Sequence, residues 1–305
     1  MTELQRYLAE EIAEDHADGI ISRREALRRL GLLGLSMTAA SSLIASFAAE
    51  AGSAMIAPAV RRTASPTASV KQLATEPITF VGPKGRRLMG AWAAADDPRG
   101  GVLVIHENRG LNDHIRSVAG RFAASGYSAL AIDLLSEEGG TDSFADPAEA
   151  TAALAQVPPE RFDADMTAGV TELKRRLRGA RLAAVGFCFG GGMVWRLLAA
   201  REPRLAAAVP FYGPLPESPD FSGSKQAAVL AIYAGLDTRV NATRDAAAVA
   251  LTEAGLEHEI VTFPGVNHAF FNNTGPRYDP DAAAAAYERV LEWFAQYVDR
   301  RRVGA

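Results

Sequence analysis

Disulfide chemistry is the first thing that this sequence excludes, because it contains a single cysteine, Cys188, among 305 residues. One cysteine cannot form an intrachain bridge, so it is either an intermolecular link or a free thiol. Basic residues are not in excess either: 32 Lys and Arg stand against 36 Asp and Glu, and the formal net charge is −4. No basic stripe interleaved with aromatic residues occurs, which argues against a nucleic-acid-binding protein.

Internal repeats and long uninterrupted apolar runs are also lacking. The apolar stretch 30–49 is broken by Gly, Ser and Thr and is therefore a poor candidate for a transmembrane helix. What is present is an ordinary globular composition, 48% hydrophobic and 22% charged, with enough apolar material for one large core.

The first 59 residues differ from the rest of the chain. They hold 5 of the 32 basic and 8 of the 36 acidic residues, which leaves 27 against 28 in the remainder. Residues 1–21 have the pattern of an acidic amphipathic helix. The segment 22–28 that follows, SRREALR, resembles a twin-arginine export signal, and the apolar stretch and small residues near 57–59 come after it.

We therefore expect residues 1–59 to be recognised by the twin-arginine export machinery, which would place the protein in the periplasm or outside the cell. The long acidic leader and Ala26, where a Phe is commoner, depart from the usual signal. The alternative is that 20–50 is a helix of the fold, in which case the protein stays in the cytoplasm. Residues 60–76, rich in Ser, Thr, Pro and Ala, have the composition of a linker.

From residue 77 onward, apolar runs typical of buried strands alternate with helical segments. The predicted strands are 78–81, 88–93, 101–106, 127–132, 182–187, 206–212, 228–234 and 258–263. The predicted helices are 112–125, 147–155, 160–178, 190–200, 242–254 and 281–298. This alternation predicts an α/β fold with a mostly parallel sheet covered by helices on both faces, in one domain over 77–305, with the first two strands as an antiparallel edge pair.

A glycine-rich turn surrounds the cysteine. Gly186-Phe187-Cys188-Phe189-Gly190 lies between a predicted strand and a predicted helix, in the pattern Gly-x-nucleophile-x-Gly. Such a turn holds the nucleophile on a strained backbone and needs small residues two positions on either side. The start of a helix favours a thiolate, and the backbone N–H of Phe189 would point at a developing oxyanion. The alternative is that Cys188 is a buried cysteine without a chemical role.

An acid and a histidine follow the cysteine, in the chain order nucleophile, acid, histidine. Asp237 comes directly after the strand 228–234, and His268 lies between the last strand and the last helix. Loops at the carboxyl ends of parallel strands share one edge of the sheet. We therefore predict a Cys188, His268, Asp237 triad in which His268 takes and returns protons and Asp237 orients it. Taken separately, Asp237 could be a helix cap and His268 a polar loop residue.

These residues together resemble the dienelactone hydrolase family of α/β-hydrolases. The elbow at Cys188, the Gly-Leu-Asp turn at Asp237, the Gly-Val-Asn-His-Ala-Phe segment at His268 and the segment 106–112 (HENRGLN) carry the resemblance, which spans about 78–298. It implies that the enzyme hydrolyses a small ester or lactone without a cofactor. It also implies that Glu107 takes part in activating the nucleophile and that Asn108 supplies the second oxyanion N–H.

The sequence departs from that family at the positions that grip a substrate carboxylate. The fourth residue after the histidine is Asn272 instead of Arg, and the loop after Asp133 contains no Arg. Arg277 is a candidate replacement, since a guanidinium suits a carboxylate, and Phe270 is a candidate for lining the site. The reaction class therefore carries over, and the particular substrate does not.

Several alternatives stay open from sequence alone. A thioesterase or acyltransferase would use the same acyl-enzyme, and a non-catalytic binding protein could retain the fold. A metal site at His106, Glu107 and His114 has no recognised zinc spacing, and the glycines at 186–192 lack the pattern of a dinucleotide loop. We expect no metal and no cofactor, and a small-molecule substrate as the partner.

Overall fold

A computed structural model describes residues 1–53 and 71–299. Its contacts divide the chain into two compact units. One contains the described residues up to 67 together with 144–157, and the other contains 68–143 and the chain from 158 onward.

The larger unit is built on a single eight-stranded sheet, with strand order β1-β2-β4-β3-β5-β6-β7-β8. β1 pairs with β2 and β2 with β4 in antiparallel fashion, and every other pairing is parallel. Both the antiparallel pair at the edge and the mostly parallel sheet were predicted from the sequence. The strands are β1 Glu76–Val81, β2 Arg87–Ala93, β3 Gly100–Ile105, β4 Tyr127–Asp133, β5 Leu182–Phe187, β6 Leu205–Phe211, β7 Ala228–Ala234 and β8 His258–Phe263.

Apolar composition explains the position of the strands from β3 to β7, which are buried along their whole length. Such continuous apolar runs suit strands covered on both faces. The covering helices are α4 Asp113–Ala124, α6 Pro159–Arg176, α7 Phe189–Ala199, α8 Thr238–Asn241, α9 Arg244–Glu253 and α10 Pro280–Tyr297.

The order of the strands decides where the helices and the site lie. The crossover from β3 to β4 through α4 runs one way along the sheet, and those to β5 and β6 through α6 and α7 run the other way. Because parallel crossovers are right-handed, α4 covers one face and α6 and α7 the opposite face. The crevice where the direction reverses, at the carboxyl ends of β3 and β5, is where ligands bind in such sheets.

The smaller unit is helical, with α1 Glu3–Ala17, α2 Arg23–Leu32, α3 Met37–Ser53 and α5 Pro147–Leu154. Thr2 caps the N-terminus of α1 with a capping box, and Ser22 caps the N-terminus of α2 by accepting a hydrogen bond from the backbone N–H of Glu25. An ion pair of 2.8 Å between Arg28 and Asp146 links α2 to the start of α5. The grouping of 144–157 with the N-terminal helices is a feature that no sequence pattern predicted.

The export function of the N-terminal segment stays a prediction. Arg23 and Arg24 open α2 and are exposed. Within 1–53 and 71–299, no helix combines the length and the hydropathy needed to cross a membrane. The cleavage candidates at 57–59 and the linker up to residue 70 lie outside the described residues.

The buried centre of the sheet provides a direct test of the fold. Leu103, in the middle of β3, is fully buried. We expect Leu103→Ala to lower the free energy of unfolding by about 2–5 kcal/mol, because it removes buried methyl groups and leaves a cavity. Val249→Ala, on the exposed side of α9, is the control and should cost less than about 0.5 kcal/mol. Equal losses in denaturant titrations of the two variants would contradict the assigned core.

Candidate active site

The turn at Cys188 has the geometry that its glycines predicted. Cys188 links β5 to α7 with φ 56° and ψ −120°, a backbone conformation that residues other than glycine rarely adopt. A Cβ on Gly186 would lie 2.0 Å from the carbonyl oxygen of Gly190, and one on Gly190 would lie 2.4 Å from the carbonyl oxygen of Ile105. Both positions therefore need glycine for lack of space, not for a positive φ. The turn is further fixed by the backbone N–H of Cys188, which donates to Phe211 at 3.1 Å.

Asp237 has two tasks at the carboxyl end of β7. Its Oδ1 accepts a hydrogen bond of 3.0 Å from the backbone N–H of Val240, which caps the short helix α8. Its Oδ2 accepts a hydrogen bond of 2.6 Å from Nδ1 of His268. The helix cap and the histidine partner, which the sequence presented as alternatives, are the same carboxylate.

His268 is buried in the loop that follows β8, and its Nδ1 is hydrogen-bonded to Asp237. Cys188 Sγ and a ring nitrogen of His268 lie within 4.8 Å of each other. Burial by itself lowers the pKa of His268, but the charge and hydrogen bond of Asp237, followed by the hydrogen bond to Cys188, raise that pKa well above its ordinary range. The imidazole can therefore carry a proton beside the thiol.

Asp237 is stabilised as a carboxylate by the same pairing. Burial raises the pKa of Asp237, yet the charge and hydrogen bond of His268 outweigh it and leave the pKa below its ordinary value. A hydrogen bond from an imidazole to a buried carboxylate fixes the tautomer, so that the second nitrogen, Nε2, is the one directed away from Asp237. The arrangement can pass protons to and from a group at Cys188.

Glu107 and Asn108 follow β3, at the same edge of the sheet. The turn that carries them is closed by the backbone N–H of Gly110, which donates to the carbonyl of Glu107 at 3.2 Å. Gly110 has φ 78°, and Asn112 then caps α4 through its side chain. Glu107 is buried, and its Oε2 accepts a hydrogen bond of 2.6 Å from Nδ2 of Asn272.

His106 and His114 both have hydrogen-bond partners within the protein. His106 donates from Nδ1 to the carbonyl of Glu107 at 2.6 Å and accepts at Nε2 from the backbone N–H of Leu134 at 3.1 Å. His114 donates from Nδ1 to Asn273 at 2.9 Å. Burial lowers the pKa of His114 to about 4, so it is neutral near pH 7. Both rings hold loops around the site in place.

Tyr212 is a member of the site that sequence reasoning missed. It follows β6 with φ 35°, and its ring centroid lies 5.0 Å from that of His268. Burial, and then the charges of Glu107 and Cys188, raise the pKa of its hydroxyl well above 10. The only signal in the sequence was its place at the carboxyl end of a predicted strand.

The two candidates for substrate binding lie in the loop between β8 and α10. Phe270 is fully buried, with ring centroids 5.5 Å from Tyr212 and 5.4 Å from Phe263. Its ring therefore forms part of the packing behind Tyr212. Arg277 lies further along the same loop and is partly exposed. Their contact with substrate stays a prediction.

Comparison with known proteins identifies the family of the chain. Residues 88–298 match the dienelactone hydrolase family. A Salmonella typhi protein named "Putative carboxymethylenebutenolidase" is 37% identical over 208 residues, which is 64% of this chain and 77% of that protein.

Solved structures give the same result. A crystal structure described as a "Putative Dienelactone Hydrolase" from Klebsiella pneumoniae subsp. pneumoniae MGH 78578 is similar, with a TM-score of 0.64 and 30% identity over 74% of this chain and 100% of that one. An α/β-hydrolase enzyme from a Medee basin deep-sea metagenome library has a TM-score of 0.54 at 14% identity, over 74% of this chain and 98% of that one. The latter likeness shows the fold alone, and the α/β-hydrolase fold predicted from the sequence is confirmed.

The crowding at the elbow leads to a prediction. Gly190→Ala places a methyl group 2.4 Å from one backbone oxygen and 2.5 Å from another, so the turn at Cys188 must shift. We expect a clear fall in melting temperature, equivalent to about 1–3 kcal/mol. Gly31→Ala in α2, where a Cβ meets nothing within 4 Å, is the matched control. It should be neutral or slightly stabilising, because Ala is the better helix former; a Gly190→Ala protein as stable as this control would contradict the assigned elbow.

Proposed function

Because the chain belongs to the dienelactone hydrolase family, we propose that it hydrolyses a small ester or lactone with Cys188 as the nucleophile. The observation that carries the proposal is the continuous series Asp237, His268, Cys188 at the carboxyl edge of the sheet. His268 acts as acid and base, and Asp237 orients it and stabilises its charged form.

Acylation begins when the Cys188 thiol gives its proton to His268, which the raised pKa of the histidine favours. The thiolate attacks the carbonyl carbon of the substrate, and the carbonyl oxygen becomes an oxyanion. When this intermediate collapses, the carbon–oxygen bond of the ester breaks, and His268 donates its proton to the departing alkoxide. The product of this half-reaction is a thioester on Cys188 and a free alcohol, or one opened chain if the substrate is a lactone.

Deacylation uses the same groups with water. His268 removes a proton from a water molecule as its oxygen attacks the thioester carbonyl, and the carbon–sulfur bond then breaks. The carboxylic acid product leaves, and the thiolate and protonated His268 are restored. No cofactor is needed for either half-reaction.

The oxyanion is assigned to the backbone N–H groups of Phe189 and Asn108. Phe189 is the first residue of α7, where the N–H groups of a helix have no partner in the helix itself. Asn108 follows β3, the neighbour of β5 in the sheet. Donors from two adjacent strand ends suit an oxygen that develops charge between them. Glu107, next to Asn108, is assigned to activating the thiol.

The substrate is a carboxylic ester or lactone, in keeping with the names of the related proteins. The family's arginine after the catalytic histidine is replaced by Asn272, whose amide binds Glu107. Because residue 272 carries no positive charge, this position suits a substrate with a neutral acyl group. Arg277 is the remaining candidate for binding an anionic acyl group.

The role of Cys188 is tested with the full chain and an activated chromogenic acetate. We expect Cys188→Ala to lower kcat/KM at least about a hundredfold, because the acyl acceptor is lost. Wild type, quenched early, should gain the mass of one acetyl group on Cys188, which is the only cysteine. If Cys188→Ala retains wild-type turnover, the proposed nucleophile is wrong. An acyl-enzyme that is released only by an added alcohol or thiol would indicate an acyltransferase.

The role of Asp237 is tested through pH. Asp237 raises the pKa of His268, so Asp237→Asn should lower it and move the alkaline limb of kcat/KM to lower pH. By analogy with other triads, kcat/KM at the optimum should fall by a factor on the order of 10³–10⁴. Asp245→Asn, at an exposed carboxylate of α9, is the control and should keep the wild-type profile. An unchanged alkaline limb in Asp237→Asn would refute the assigned pairing.

A further inference from the structure

Arg121 is a buried cation without an acidic partner. It lies in the second half of α4, and its side chain is 9% exposed. Within 1–53 and 71–299, no carboxylate lies at ion-pair distance from its guanidinium, and its hydrogen bonding to the protein is limited to one contact of 3.4 Å from Nη2 to Oγ of Ser117. Buried charges are ordinarily paired, because removing an unpaired charge from water is costly.

Most of the donors of this guanidinium remain available. A guanidinium has five N–H donors, and the Ser117 hydroxyl that accepts one of them itself donates to the carbonyl of His114 at 2.7 Å. None of the Arg121 nitrogens is both fully enclosed and without a hydrogen-bond partner. The nitrogens that Ser117 does not bind are therefore within reach of solvent, so a small solute can reach the charged end of a side chain whose stem is buried.

Aromatic rings from two other elements lie around the guanidinium. Cζ of Arg121 lies over the ring of Phe271, 5.2 Å from its centroid, in the loop that follows β8. The ring of Tyr287, in α10, lies 6.3 Å from that of Phe271, and its hydroxyl is 3.0 Å from Oγ of Ser125. Ser125 is one turn after Arg121 in α4. The charged group is thus placed where α4, α10 and this loop meet.

The surroundings of Arg121 supply no compensating negative charge. Burial lowers the pKa of Arg121, and the groups that raise this pKa are tyrosine hydroxyls, led by Tyr287, instead of carboxylates. Burial also raises the pKa of Tyr287 to about 12, so its hydroxyl is neutral near pH 7. His114, on the same helix, is neutral as well. The positive charge of Arg121 is therefore available to a ligand.

We propose that Arg121 anchors a second binding site, which takes the carboxylate of a small acid between α4, α10 and the loop that follows β8. A guanidinium binds a carboxylate through two parallel N–H bonds and supplies the one positive charge that a monovalent acid needs. The rings of Phe271 and Tyr287 suit an acid with an apolar body. Neither the fourth residue after the histidine nor the loop after Asp133 takes part, so this is not the position where the family grips its substrate.

The second site lies next to the packing of the nucleophile turn. Phe271 stacks on Phe187, the residue before Cys188, with ring centroids 4.9 Å apart and planes inclined by 22°. A ligand bound to Arg121 would therefore lie beside a ring that supports this turn. The proposed hydrolysis releases a carboxylic acid at each turnover, which is a ligand of the required class, but the site itself does not depend on that function.

The test measures the binding of sodium acetate to the full-length protein in HEPES buffer without other small anions. We expect a saturable rise in melting temperature, of about 2–4 °C at ten times the dissociation constant, and a saturation-transfer NMR signal on the acetate methyl group. Arg121→Gln should abolish both, because the charge and the donor fork are lost. A wild type without a saturable rise, or an Arg121→Gln protein with the same rise, overturns the proposal.

A matched control removes another guanidinium from the same helix. Arg116 is paired with Asp142 at 3.1 Å, so Arg116→Gln should keep the wild-type response to acetate. Sodium chloride at the same concentrations tests the class of ligand. We expect chloride to give a smaller rise, because a single atom cannot accept the two parallel hydrogen bonds that a carboxylate does. Equal responses to chloride and acetate, or loss of the acetate response in Arg116→Gln, would contradict a carboxylate site at Arg121.

A further variant separates ligand binding from a structural role of the arginine. Arg121→Met keeps an apolar stem in place and removes the charge. In buffer without acetate, we expect its melting temperature to stay within about 4 °C of wild type or to rise, because no carboxylate of the protein loses its partner. A larger fall would show that the guanidinium is already satisfied by the protein itself, and the proposal would then be wrong.

Failure of this inference can be told apart from failure of the proposed function, because acetate binding is measured without ester turnover. Cys188→Ala should keep the acetate response, since the second site does not include the thiol. Loss of the response in Cys188→Ala would place the acetate at the nucleophile and overturn the second site. A wild type that binds acetate through Arg121 but hydrolyses no ester contradicts only the proposed function.

Discussion

The hydrogen bond of 2.6 Å between Asp237 and His268 is the interaction on which the site depends. Burial by itself disfavours the charged form of each group, because it raises the pKa of Asp237 and lowers the pKa of His268. Paired, each stabilises the charged form of the other. The consequence is a histidine that can hold a proton beside Cys188, which is the state that a reactive thiol requires.

The register of the strands in the sheet brings these groups together. Registers such as Ile105 with Gly186 and Ala234 with Phe263 align the ends of neighbouring strands. The chemistry-bearing residues then follow at one edge, each on the loop after its strand. The close approach of backbone segments at the Cys188 turn leaves no room for side chains at Gly186 or Gly190, so packing alone restricts which residues can stand there.

The loop from His268 to Asn273 is held by more than the hydrogen bond of His268. It is attached at Asp237, at Glu107 and at His114, which follow β7 and β3 or begin α4. Three attachments to separate elements limit its freedom, and a restrained base is a better partner for a nucleophile than a mobile one. Local sequence explains the turn itself, but none of these attachments is local, and none was predicted except the one to Asp237.

The sequence by itself determined the alternation of strands and helices and the α/β fold, because both depend on hydrophobic periodicity. It also determined the cysteine elbow, through the geometry of its glycines, and the order of Asp237 and His268, through the rule that parallel strands end at one edge. Only the tertiary structure decided that Asp237 both caps α8 and binds His268, that Tyr212 lies beside the histidine, that Asn272 faces Glu107 and that 144–157 groups with the N-terminal helices. Each of these depends on the approach of residues distant in the chain, and hydrophobic patterning specifies which face of an element is buried, not which polar side chains then meet across loops.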